Sequence, residues 1–220
     1  RYEAVTLQPG MLFSQHGQPY SGVDVLQVVA DWPAVLDPAA MRTAWRHAGD
    51  RHAVLRTAFD WPAGDQPTQA VHPSAVVPVA HHDWSAPGRA PELDAVLAAD
   101  RAAGFDPGRA PLARVSVITH GPDRHTVAVT VHHAIIDGRS LRLLLAEVFT
   151  EHDALTAGRP WSPPPRPAFG DYARWVADQP DGGDPDFWRH RLGGTALPTR
   201  LAPLAPAGSA PPRTAGSVRE

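Results

Sequence analysis

The residues of this chain best equipped for chemistry lie in one run, Val131-His132-His133-Ala134-Ile135-Ile136-Asp137-Gly138-Arg139-Ser140. An imidazole titrates near neutral pH, so it can take up or release a proton under ordinary conditions. Twelve histidines in 220 residues make an adjacent pair expected by chance, so the pair alone designates no site. A second pair, His81-His82-Asp83, offers ring nitrogens and a carboxylate but lacks the third well-spaced ligand of a metal centre. Cysteine is absent, which excludes disulfides, thiolate ligands and a cysteine nucleophile.

Position strengthens the first pair. In His125–Val131, Val127, Val129 and Val131 alternate with small or polar residues, which predicts a strand. Leu141, Leu143, Leu144, Leu145, Val148 and Phe149 form an apolar stripe, which predicts a helix reaching Ala157-Gly158, with Ser140 as its cap. A histidine at the exit of a buried strand can be held rigidly and still face a cleft. Successive strand residues point to opposite faces, so His132 is expected behind the site, packed or hydrogen-bonded.

The other elements read as α/β, a mixed sheet with helices packed on it. Strands are predicted over Val23–Trp32, with Val23, Val25, Gln27 and Val29 on one face, and over Val54–Trp61, Thr68–His72 and Val76–Asp83. Leu112–His120 and His125–Val131 should pair across Gly121-Pro122-Asp123. Asp37-Pro38 supplies a cap and a first-turn proline for a helix to about His52, with Met41, Trp45 and Ala48 inward. Further helices are predicted over 91–104, with Leu93, Val96 and Leu97 buried, over 169–178 and over 185–192. Trp161–Pro167 reads as a proline-rich loop, and Tyr172, Trp175 and Trp188 read as core.

The pattern HHxxxDGxS resembles the active-site motif of condensation domains from nonribosomal peptide synthetases, in the chloramphenicol acetyltransferase-like superfamily. Leu7-Gln-Pro-Gly-Met-Leu-Phe-Ser-Gln15 is similar to the family's opening motif, and Arg51-His-Ala-Val-Leu-Arg-Thr-Ala-Phe59 to its second. Phe169-Gly-Asp-Tyr-Ala-Arg-Trp-Val176 resembles its later DYAxW segment. Phe105–Arg114 and Asp186–Leu192 are less specific matches in the same order. The resemblance implies a chloramphenicol acetyltransferase-like lobe, the first of two lobes with the site in a channel between them. Residues 1–196 would be that lobe. Residues 197–220, rich in Pro and Ala, read as a crossover linker toward a C-terminal lobe.

The implied reaction is attack of an aminoacyl amine on a donor acyl or peptidyl thioester, giving an amide. Both substrates would ride on phosphopantetheine arms of donor and acceptor peptidyl carrier domains, with no cofactor bound directly. Transfer is direct, and no GxSxG elbow is found; Ser140 lies in Asp-Gly-Arg-Ser instead. By resemblance His133 is the catalytic histidine, as general base or as positioner of the amine and the tetrahedral intermediate; the residues leave both roles open. Asp137 is expected in an ion pair that fixes its loop, with Arg51 or Arg56 as partner. Gly138 is expected to allow a turn or close substrate approach, or to offer its amide to the oxyanion. Arg139 departs from the tryptophan of many relatives; contact with a carrier arm and simple solvation both stay open.

A net charge of −3 without a polybasic run argues against nucleic acid, and no apolar stretch approaches a membrane span. The chain opens on Arg1 and has no signal peptide, so a portion of a longer cytoplasmic protein is expected. Abundant Ala, Arg and Pro suggest a bacterial, high-GC source. The stretches Leu7–Phe13, Leu55–Trp61, Val71-His72 and His82–Trp84 resemble condensation domains that accept D-configured donors. Alternatives are a catalytically inactive relative that recruits a partner protein, an epimerization domain, and an ester-forming relative.

Overall fold

A computed structural model of the chain describes residues 1–5, 7–17, 23–62, 66–86, 92–179 and 185–194. The chain divides into two compact units, Arg1–Asp178 and Gln179–Glu220. The expected boundary at residue 196 and the linker 197–220 lie outside the described residues.

Among the described residues, the first unit holds two sheets. In the smaller, β4 (Thr68–Val71) lies between β1 (Tyr2–Glu3) and β3 (Thr57–Asp60), all antiparallel. In the larger, the order is β2 (Val25–Trp32), β7 (Arg124–His132), β6 (Ala113–Gly121) and β5 (Val79–Asp83), with only β5 and β6 parallel. The predicted hairpin is β6–β7. Its alternating valines explain why β7 is central: Val127, Val129 and Val131 are almost wholly buried, as are Val115 and Val117 on β6. The mixed α/β reading therefore holds.

Helices cover the larger sheet. α2 (Pro38–Arg51) begins as predicted: Asp37 Oδ1 accepts from the Ala39 amide at 2.7 Å and Pro38 occupies the first turn. Met41, Trp45 and Ala48 are fully buried along one side, and α2 packs on α4 (Gly138–Thr156). The remaining helices are α1 (Gln8–Gly17), α3 (Leu93–Ala103), α5 (Phe169–Ala177) and, in the second unit, α6 (Pro185–Leu192).

Several expectations change. Val54–Arg56 belong to a 3₁₀ turn, Ala53–Arg56, and the strand is only Thr57–Asp60. Burial of Leu55 and a bond from Thr57 Oγ1 to the Ala53 carbonyl hold that turn, which overrides the β propensity of Val54. β2 starts at Val25 and is an edge strand, so Val23 is exposed and Val29 is 41% exposed. β5 starts at Val79. Leu93, Val96 and Leu97 are half-buried rather than core. Tyr172, Trp175 and Trp188 are 47%, 59% and 53% exposed, so they are not core in this structure. On α5 it is the small Ala173 that is buried.

Candidate functional site

β7 delivers the histidine pair to the rim of a cavity. His132 is the last strand residue: its amide donates to the Leu112 carbonyl at 2.9 Å and its side chain is fully buried. The ring stands edge-on to Phe105, with 6.4 Å between centroids. Its Nδ1 accepts from the Ala134 amide at 3.1 Å, so in the neutral ring the proton belongs on Nε2. Burial pushes its pKa down to about 4, helped by the nearby charge of His133. A ring so desolvated stays neutral and supports the turn through its bond with Ala134.

His133 lies one residue further and faces the other way. Its amide donates to the Asp24 carbonyl at 2.7 Å, and its half-buried side chain lines the cavity. Nδ1 lies 3.0 Å from the Ile136 carbonyl, which can only accept. Nδ1 therefore carries the proton in the neutral ring, and Nε2 is the basic atom. A tight turn makes this contact: the Ile135 and Ile136 amides donate back to the His132 and His133 carbonyls at 3.2 and 3.4 Å.

Asp137 is the cap of α4, the role expected for Ser140. Its Oδ1 accepts from the Ser140 amide at 2.7 Å. Bonds from the Ser140 amide and hydroxyl hold its pKa below the usual carboxylate value. The physical reason is geometric: the carboxylate reaches an amide three residues on that would otherwise lack a partner. Asp137 is exposed and makes no ion pair with Arg51 or Arg56, which corrects that expectation. Gly138 opens α4 with an ordinary φ, and a Cβ there would meet nothing within 4 Å. Among the described residues, neither a turn nor packing requires glycine.

Both arginines are engaged elsewhere. Arg51 Nε donates to Glu147 Oε1 at 2.9 Å and Nη2 to Glu151 Oε2 at 2.6 Å; its guanidinium lies 5.0 Å from the Trp161 ring centroid. Burial works against the Arg51 charge, yet bonds to Glu151 and Glu147 raise its pKa above the ordinary value. Arg56 donates to the carbonyls of Gly49 and His72 at 2.8 and 2.5 Å, fixing the 3₁₀ turn.

Five residues emerge that motif reading assigned no role: Glu147, Glu151, His47, His52 and Gln8. Glu147, on the cavity wall, accepts from His52 Nε2 at 2.8 Å as well as from Arg51. Burial alone would raise its pKa, but His52 and Arg51 hold it below the usual carboxylate range. His47 bonds to Glu151, completing a charged cluster between α2 and α4. The available signal was two carboxylates, Glu147 and Glu151, interrupting the apolar stripe of α4 four residues apart. Gln8 is buried: its Nε2 donates to the Ala134 carbonyl at 2.8 Å and its Oε1 accepts from the Val5 amide at 2.9 Å, so α1 anchors the histidine turn.

The cavity measures about 490 Å³, room for a small ligand. His133, Asp137 and Ser140 line it near the start of α4, and His52, Glu147 and Arg166 line it further along. Leu143, Leu144 and Met11 make its apolar wall. Ser140 and Glu147 are seven residues apart on one helix, roughly 10 Å along its axis. The arrangement offers one oriented base on an apolar slot. The Ser140 hydroxyl bonds to Asp137, so this serine is not paired with His133 as a nucleophile. At the other histidine pair, His81 Nε2 meets Thr119 Oγ1 at 2.9 Å and Asp83 accepts from Ser85, while no group of three metal-ligating side chains gathers among the described residues.

Comparison with known proteins places this geometry. A family model described as the condensation domain matches residues 1–215. A linear gramicidin synthase polypeptide of Brevibacillus parabrevis is 34% identical over 207 residues, 91% of this chain and 3% of that protein. Chondramide synthase cmdD of Chondromyces crocatus is 31% identical over 184 residues, 81% of this chain and 5% of that protein. Among solved structures, the starter condensation domain of rhizomide synthetase has a TM-score of 0.77 at 19% identity, covering 90% of this chain and 49% of that one, a likeness of fold. The complex of the X-domain and OxyB from teicoplanin biosynthesis gives 0.74 at 28% identity, covering 91% and 47%. The chain thus spans about half the length of these solved chains and a few per cent of the synthetases. With its family match, its chloramphenicol acetyltransferase-like fold and its strand-end histidine, the chain belongs to the condensation-domain family of nonribosomal peptide synthetases.

Proposed function

We propose that this chain is the first lobe of an amide-forming condensation domain, residues 1–196, with 197–220 crossing toward a second lobe. The observation that carries the reading is the bond between His133 Nδ1 and the Ile136 carbonyl, which leaves Nε2 as the basic atom of a side chain on the cavity wall. In the proposed step, the amine of an acceptor aminoacyl thioester attacks the donor thioester carbonyl. The C–N bond forms, the carbonyl oxygen becomes an oxyanion, and Nε2 takes a proton from the nitrogen. The C–S bond then breaks, and the imidazolium returns the proton to the departing thiolate. Both thioesters are carried on phosphopantetheine arms: the donor carrier's arm leaves as the free thiol, and the amide product stays on the arm of the acceptor carrier. General-base help of this kind is worth about 10²–10⁴ in rate, and alignment of two tethered reactants can supply as much again. The Gly138 amide, in the first turn of α4, is the proposed donor to the oxyanion.

The D-donor subtype is the finer reading, and it rests on the resemblance of Leu7–Phe13, Leu55–Trp61, Val71-His72 and His82–Trp84. A second reading, a non-catalytic recruiter of a partner protein, is supported by the 28% identity to the chain in the X-domain complex. Survival of His132, His133, Asp137 and Gly138 together favours catalysis.

The test is a single-turnover assay on the complete two-lobed domain, with loaded donor and acceptor carriers followed by intact-protein mass spectrometry. Transfer is expected, and His133→Ala should slow it by about 10²-fold or more. Failure of the folded wild-type domain with several loaded pairs would favour the recruiter. The isolated first lobe should condense poorly, because half of its channel is open to water.

A further inference from the structure

The β2–β7 ladder carries an acid that belongs to no motif. Its last register pair is Val25 with His132. One residue beyond, Asp24 faces His133, and the bond from the His133 amide to the Asp24 carbonyl at 2.7 Å fixes that pairing. Directly opposed residues of an antiparallel pair project from the same face, with Cα atoms about 5.5 Å apart when they are hydrogen-bonded. We infer that Asp24 is a positioning residue for His133, its carboxylate standing beside the imidazole and stabilising the positive charge the ring acquires when it takes a proton. This rests on the reading of His133 as the base.

The electrostatics agree. Burial raises the Asp24 pKa, and the charge of His133 works against that rise, so the two groups feel each other. Asp24 is half-buried, where a charge is screened less than at the surface. The other ionisable groups around His133 are placed differently. His132, buried on β7, stays neutral; Asp137 also feels the His133 charge, but it is exposed and its carboxylate is tied to Ser140, with Arg139 nearby. His52, Glu147 and Arg166 lie further along the cavity wall, with His52 bonded to Glu147. Among the described residues that line the cavity Asp24 is absent, which fits a role on the ring.

Two unit charges about 6 Å apart, in an effective dielectric between about 20 and 80, couple by about 0.5–2 pH units. Asp24→Asn keeps the backbone bond and removes the charge. Without that carboxylate the imidazolium is less stable, so His133 titrates at lower pH. The acid limb of the rate profile then moves down by about 0.5 unit or more, because the reaction needs the neutral ring. A role in folding alone would lower the plateau and leave the limb in place.

The experiment follows His133 directly in the two-lobed domain by ¹³C-histidine NMR, its signal assigned by loss in His133→Gln, alongside pH profiles of single-turnover rate. A midpoint that falls in Asp24→Asn and recovers in Asp24→Glu supports the inference. An unmoved His133 midpoint in folded Asp24→Asn overturns it. If the midpoint falls but His133→Ala turns over at the wild-type rate, the Asp24 coupling stands and the base assignment fails.

Discussion

Burial of His132 makes the stability of this fold depend on pH in a defined window. The folded pKa is about 4, whereas an unfolded histidine titrates near 6.5. Between these values the unfolded chain binds the proton and the folded one does not, so stability is complete above about pH 6.5 and declines as pH falls toward 4. Integrating the difference gives a loss of about 2 kcal/mol by pH 5 and about 3 kcal/mol by pH 4. For a unit of this size each kcal/mol moves Tm by about 2–4 °C, so a drop of about 4–8 °C is expected between pH 7 and pH 5. Carboxylates contribute at lower pH. Asp137, Asp100 and Glu147 have depressed pKa values, so their stabilisation is present above about pH 4.5 and lost below it, while the raised pKa of Asp24 works in the opposite direction.

A variant isolates the histidine from the rest. His132→Asn keeps an acceptor near the position of Nδ1 for the Ala134 amide but cannot titrate. It should start less stable than wild type, and the gap should narrow by about 2 kcal/mol as pH falls from 7 to 5. Urea denaturation at several pH values, on the domain carrying this chain, reads that gap directly. Parallel stability curves for the two proteins would refute the reasoning, because they would mean that His132 is protonated in the fold or already shielded in the unfolded chain.

Other outcomes follow from the ion pairs and the cap. Arg51→Ala removes the guanidinium shared by the buried Glu147 and Glu151, leaving them His52 and His47 as partners, and should cost about 2–3 kcal/mol, read as a lower urea midpoint, whereas Arg56→Ala should leave the α2–α4 cluster intact. Asp137→Ala removes a helix cap and should cost about 1 kcal/mol in the same assay. Since Asp137 and Arg51 do not touch, the double variant should equal the sum of the singles within about 0.5 kcal/mol; a larger coupling would restore the ion pair first expected from the motif. Gly138→Ala should change stability by no more than about 0.5 kcal/mol, since its Cβ meets open space; a large loss of transfer rate with unchanged stability would assign the glycine to substrate approach.

The parts of the fold that were legible in the sequence are those where local and tertiary preferences agree. The alternating valines of β6 and β7, the turn between them and the Asp37-Pro38 start of α2 each carried enough information within about ten residues to define an element. Val54–Arg56 reads as strand by composition, and burial of Leu55, the Thr57–Ala53 bond and the contacts of Arg56 with Gly49 and His72 together wind it into a 3₁₀ turn. Tyr172 and Trp175 show the converse: aromatic residues on an amphipathic helix imply a covered face, yet in this structure they are exposed. Pairings across the sequence were the least legible. Arg51 meets Glu147 and Glu151 across separations of 96 and 100 residues, and Asp24 acquires its place beside His133 only once the β2–β7 register is known.

Those distant pairings change how the motifs are understood. Arg51 and Asp137 are charges of opposite sign in two motifs of one site, which made a mutual ion pair the economical expectation. The structure gives them separate work. Asp137 starts α4 and so sets where the helix approaches the histidine turn, while Arg51, through Glu147 and Glu151, fixes the same helix to α2 further along. Gln8, from a third motif, holds the turn itself through the Ala134 carbonyl. Motifs far apart in sequence thus converge on two structural objects, the wall α4 and the turn 132–136. Of the side chains in the His-His-Asp-Gly run, only His133 combines a fixed tautomer with a place on the cavity wall, so loss of the His132 or Asp137 side chain should act on the proposed reaction through the position of that one ring.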